Sequence, residues 1–239
     1  MLLSLKRFAR SGKRVSSKVS PDFNMITNRL FITLTFLVIS QLGQAQDSGE
    51  IALPAWNDKY SEYVRQLEAG NTKIDYREFR YSFLESKQFQ IKAEKSTQYD
   101  SLKMAMIAQA GASHYAEVIR LSKAMLSIDY TSQVAHKYLQ QTYKIIGDTA
   151  KRRKYHDIEF GLINSISLNG DSKTFATSWE VIQVEEEYFA LAMLGATLKK
   201  QSVEKSGDKI CDKMEVVTEE GKIEVYYFDV TKLLQKITK

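Results

Sequence analysis

At Asn169-Gly170-Asp171 the spacing of apolar residues turns from a period of about 3.6 toward one of about 2, and this divides the chain into a helical and a strand-forming part. Before that point no proline follows Pro54, and the glycines fall between periodic segments. Tyr60, Tyr63, Val64 and Leu67 mark one face of a helix over 57–69, closed by Gly70-Asn71. A second helix is predicted over 76–86 with Phe79, Phe83 and Leu84 inward, and a third over 98–109.

The segment from His114 to Ile163 reads helix, short break, helix, Gly-Asp turn, helix, and resembles tetratricopeptide-repeat packing. Helix 115–127 carries Val118, Leu121, Met125 and Ile128, and "DYTS" is the break. Helix 132–146 carries Ala135, Tyr138, Leu139 and Ile146, and Gly147-Asp148 opens the next. Tyr130 stands where that repeat commonly has proline, and about one and a half units can be counted.

Beyond "NGDSK", Trp179, Val181, Ile182 and Val184 suit a strand, and "VEEEYFALAMLG" a helix. "DKICDKMEVVT" and "KIEVYYFDV", parted by Glu219-Glu220-Gly221, predict a hairpin whose glycine supplies positive φ. "TKLLQKI" is a closing helix with Thr231 as cap. The expected fold is α+β. An N-terminal helical bundle with tetratricopeptide-like hairpins spans 46–168. A small antiparallel sheet with one or two helices spans 169–239 and packs on it.

Residues 1–45 read as an address. Arg29 precedes the apolar run Leu30–Ile39, and Gly43 and Ala45 stand at the small-residue positions of a signal-peptidase site, so cleavage is expected after Ala45. The run is shorter than the roughly 20 residues of a membrane span, and an uncleaved anchor is the alternative. Met25 would make a normal start, while the basic, Ser-rich stretch before it also resembles a mitochondrial presequence. The mature chain is then periplasmic or secreted, with membrane attachment only through an uncleaved leader. Of 34 bases and 29 acids the address holds seven and one, leaving 27 against 28, so the formal charge of +5 is no sign of nucleic-acid binding.

Cys211 is the only cysteine, which excludes an internal disulfide framework, a CxxC redox pair and a cysteine-rich zinc site; a buried hydrophobe is the simpler reading than a nucleophile. His114, His136 and His156 match no local metal spacing, and no metal or other cofactor is expected. "KRRK" at 151–154 is either an anion site or a solvated helix face. Tyr226-Tyr227-Phe228 reads as sheet core and edge before a sugar-stacking platform. No phosphate-binding glycine loop or nucleophile elbow is present.

Glu185-Glu186-Glu187 raises the one sharp chemical question. Carboxylates at a helix start offset the partial positive charge there, by about 0.3 to 1 kcal/mol each, which is a sufficient structural reason for all three. Tyr188, Leu191, Ala192 and Leu194 would then face the sheet. The alternative is acid-base catalysis by Glu186 and Glu187 with a histidine brought close by the fold.

Four stretches together resemble the domain-of-unknown-function family numbered 4919, found in exported proteins of Gram-negative bacteria: "YREFRY" at 76–81, "IIGDTAKRRKYHDIEFGLINSI", "NGDSKTFATSWEVIQVEEEYFALAMLG" and "YYFDVTKL". The positions that carry the motif are Gly170, Asp171, Glu186, Glu187, Tyr188, Tyr227, Phe228 and Asp229. Ser172 stands where the pattern has a second glycine. The resemblance implies export and no particular activity. A non-enzymatic interaction module of the bacterial envelope is expected, its partner another protein or an envelope component. A small envelope or secreted hydrolase using Glu186/Glu187 is the alternative.

Overall fold

The computed structural model describes residues 49–238, so the leader, Met25 and the cleavage position near Ala45 lie outside the described residues. Seven helices come first: α1 Lys59–Glu68, α2 Tyr76–Glu85, α3 Lys87–Glu94, α4 Ser96–Gly111, α5 Tyr115–Leu126, α6 Gln133–Ile145 and α7 Thr149–Ser167. Five of them start at a side-chain cap. Asp58, Asp75, Ser86, Ser132 and Asp148 each accept the amide three residues on, an arrangement typically worth about 1 kcal/mol.

The helical core is aromatic at its centre. Tyr60 of α1 stacks on Phe79 of α2 at 5.6 Å and touches Phe83 at 5.1 Å. The "DYTS" break is buried with it: the Tyr130 amide donates to the Tyr60 hydroxyl, and the Tyr130 hydroxyl donates to Glu68. Gly161 lets α7 approach α2, since a Cβ there would stand 2.2 Å from the Tyr76 ring. Two details differ from the periodic reading. Ile146, expected inward, is exposed where α6 ends. The short helix α3 was not predicted, because it buries only Gln88, whose amide donates to the Ile128 carbonyl at 2.9 Å.

The second part contains β1 Trp179–Glu180, α8 Val184–Met193, β2 Thr197–Ser206, β3 Lys209–Val217, β4 Ile223–Asp229 and α9 Thr231–Ile237. The sheet has the order β1-β4-β3-β2 and is mixed where an antiparallel one was expected, because β1 runs parallel to β4. The expected hairpin is β3–β4, with Gly221 at φ 76° in its turn. Its neighbour β2 escaped the sequence reading, for it is an edge strand exposed along almost its whole length and shows no apolar alternation. Lys199, Lys200, Lys205 and a register shift between Leu198 and Lys200 guard that edge against pairing with another chain.

The strand expected over 179–184 is only two residues long, and Val184 already belongs to α8. Thr231 does not cap α9. Its hydroxyl instead accepts the Ile210 amide at 2.9 Å and donates to the Ile210 carbonyl, clasping the helix to β3. A smaller core of Ile166, Val181, Leu191, Met214, Val216 and Phe228 joins α7, α8 and the sheet.

Candidate functional site

The acidic start of α8 faces inward. Glu186 and Glu187 are completely buried, while Val184, Tyr188, Met193 and Leu194 are 42–50% exposed, the reverse of the apolar face expected from the spacing. Leu191 alone of the predicted inward residues is buried; Ala192 is exposed with Tyr188 and Leu194.

Long-range partners explain the inversion. Arg80 of α2, itself buried, donates from Nε to Glu186 Oε1 at 2.7 Å and from Nη2 to Oε2 at 2.6 Å. Nη2 also donates to the Glu180 carbonyl at 2.9 Å, and Nη1 lies 3.4 Å from Ser165 Oγ on α7. Glu186 further accepts the Ile182 amide at 2.8 Å, holding the turn into α8. The two-pronged geometry suits a guanidinium opposite a carboxylate, and every polar atom removed from water finds a partner. Alongside it, Arg77 donates to Glu180 at 2.6 Å and the Tyr81 hydroxyl donates to the same oxygen. "YREFRY" is therefore the counterpart of "WEVIQVEE".

Glu187 has no such partner. Neither of its oxygens meets a donor, and the group they have beside them is the Asp212 carboxylate, to which only a protonated Glu187 could donate. Burial, reinforced by Asp212 of β3, pushes its carboxyl up to about 9, so it is a neutral acid at pH 7. A catalytic pairing with histidine is not assembled around either glutamate. His114 contacts Gln109 at the surface, and His156 contacts Asp157. His136 is buried with Nε2 on the Tyr130 carbonyl at 2.8 Å, and desolvation lowers its pKa to about 3.

The remaining motif positions form a clasp between loop and sheet. Asp171 accepts from the Lys173 amide and the Thr177 hydroxyl. A Cβ on Gly170 would meet the Thr177 carbonyl at 2.3 Å, and the Gly170 carbonyl accepts the Trp179 indole N–H. Ser172 adopts φ 61°, which accounts for a glycine at that point of the pattern, and its hydroxyl donates to the Tyr227 carbonyl at 2.7 Å. Phe228 is core, and Asp229 pairs in register with Glu180.

Other sequence candidates have structural places. Cys211 is buried and free, and burial raises its thiol pKa. Within "KRRK", Lys154 pairs with Glu68 at 2.9 Å and Lys151 with Asp148 at 3.4 Å, leaving Arg152 and Arg153 exposed. Among the described residues, no group of three or more His, Cys, Asp or Glu side chains could hold a metal ion.

What the inverted helix builds is a groove. Cavities of about 260 and 240 Å³ adjoin, sharing Tyr99, Gln183, Val184 and Glu185. Val134, Tyr188 and Phe189 wall the first; Phe89, Leu233 and Ile237 wall the second. Lys92 bridges them, reaching Glu185 at 2.8 Å, the Gln183 side-chain oxygen, and buried Asp129 at 3.9 Å. Burial raises the Asp129 pKa, against the pull of Lys92 and Thr131. The sequence reading missed this groove, because its walls come from α3, α4, α6, α8 and α9, and no local pattern joins them.

The family model described as Domain of unknown function (DUF4919) matches residues 57–239, which takes in all nine helices and four strands of the described residues. The chain belongs to the DUF4919 family. Neither a curated protein nor a solved structure matches it. The DUF4919 match begins just before the α1 cap and contains both the Arg80–Glu186 pair and the groove.

Proposed function

We propose that this DUF4919 protein is an exported, non-enzymatic binding module of the bacterial envelope, released from its leader near Ala45, whose groove holds an extended segment of another protein. The observation that carries this reading is the inversion of α8. Glutamates are spent inside, and Val184 and Tyr188, four residues apart on one stripe, are left to solvent beside two apolar cavities. An extended peptide projects alternate side chains, so two apolar residues flanking a polar one would fill the two cavities and meet Lys92 and Glu185 between them. The hydrolase alternative draws no support from Glu186, engaged by Arg80, or from Glu187, which lines neither cavity.

The test is selection of peptides from a random library on the purified chain, followed by fluorescence anisotropy. The expected binders share the apolar-polar-apolar pattern. Val184→Asp and Tyr188→Asp should each weaken them about tenfold or more, near 1.4 kcal/mol, with an unchanged melting temperature. Binders indifferent to both substitutions, or no binders, would overturn the reading.

A further inference from the structure

A separate cavity of about 320 Å³ opens where Tyr81 of α2, the ends of β1 and β4, the β2–β3 turn and α9 meet. It shares no lining residue with the groove. Its size is at the small end of the roughly 300–1,000 Å³ typical of ligand sites. Glu180 and Asp229, register partners on parallel strands, bring two carboxylates to its wall. Each is already engaged on one side: Glu180 by Arg77 and Tyr81, Asp229 by the Thr231 amide at 3.0 Å. Lys209 stands 3.8 Å from Asp229, outside hydrogen-bond distance.

Three lining side chains, Lys232, Asp208 and Gln235, are exposed and enter no hydrogen bond or ion pair among the described residues, and the Lys232 charge also helps hold the Glu180 carboxyl low. Lys232 sits 4.0 Å from the Tyr81 ring centroid, and the Arg77 guanidinium sits 4.9 Å from it. The ring already carries two cations, so it is no free platform for a sugar. A simple anion drawn to Lys232 would also face Glu180, Asp208 and Asp229. A simple cation drawn to those acids would face Lys209 and Lys232. A molecule carrying both charges satisfies both sets.

We propose that this cavity binds a small zwitterion of amino-acid to dipeptide size, its carboxylate on Lys232 and Lys209 and its ammonium on Asp208. The site is independent of the groove. Its test is titration of the ¹⁵N-labelled protein with alanyl-alanine, alanyl-glutamate and alanyl-lysine, each beside its N-acetylated and C-amidated forms. At least one free dipeptide is expected to give saturable amide shifts at Lys209, Thr231 and Lys232. Blocking either end, or introducing Lys232→Gln or Asp208→Asn, should weaken it about tenfold. Val184→Asp should leave it unchanged, which separates this site from the groove. No saturable shift with any of the three dipeptides, or blocked forms binding as well as free ones, would overturn the proposal.

Discussion

Arg80 and Glu186, 106 positions apart in the chain, meet as a fully buried two-pronged ion pair with both side chains at most 1% exposed. Around it converge α2, α7, α8 and the turn after β1. Removing one partner strands the other charge away from water. Arg80→Met or Glu186→Met alone should therefore cost about 3 to 5 kcal/mol, while the double variant should cost less than the two losses added. Urea unfolding of all four proteins measures the coupling, and strictly additive losses would show the pair to be energetically unimportant.

Glu187 makes stability fall with rising pH. The folded protein holds its proton up to about pH 9, whereas an unperturbed glutamate releases it near 4.5. The contribution is full below about 4.5, declines by up to about 1.4 kcal/mol per pH unit, and is gone above about 9. Urea midpoints at mildly acid, neutral and mildly alkaline pH should drop along that series in the wild type. Glu187→Gln, a neutral replacement of the same shape, should flatten the drop, match the wild type only near pH 4.5 and exceed it increasingly above that; parallel declines would contradict the assignment.

His136 acts on the opposite limb. Its folded pKa, lowered from 6.5 to about 3 by desolvation, means that the unfolded chain binds the proton more tightly across that window. Stability present above about 6.5 is lost as the pH falls toward 3. His136→Phe should flatten the acid limb of the same urea series. An acid limb as steep as that of the wild type would place its cause elsewhere.

Ser172 holds a positive φ that costs a side chain about 1 kcal/mol, and its hydroxyl bond to the Tyr227 carbonyl offsets a similar amount. Ser172→Ala keeps the strain and loses the bond, so it should destabilise by about 1 to 2 kcal/mol. Ser172→Gly loses both and should remain within about 0.5 kcal/mol of the wild type. Thermal unfolding that ranked glycine below alanine would refute this balance.

The helices were legible because their apolar residues recur at helical spacing and glycine breaks part them, as with Tyr60, Val64 and Leu67 before Gly70; the Asp58, Asp75 and Ser132 caps emerge only in the fold. The β3–β4 hairpin was legible from its β-branched and aromatic runs and Gly221. Strand β2 was not, since an edge strand exposed on both faces has no alternation to read. The direction of α8 was hidden for a different reason. Its local spacing favours Tyr188 and Leu194 inward, but Arg80 supplies a buried partner for Glu186, and no pattern within ten residues records a partner 106 away. The carboxylates were therefore visible as candidates, whereas their structural role and the groove they create required the fold.

Photo-crosslinking in producing cells decides whether the outward face of α8 binds another protein. Benzoyl-phenylalanine would replace Val184, Tyr188 or, as a control on β2, the 66% exposed Val203. A discrete heavier product is expected from positions 184 and 188 and none from 203, with the product suppressed by groove-binding peptides. The same products from 203, or none from 184 and 188, would contradict that binding.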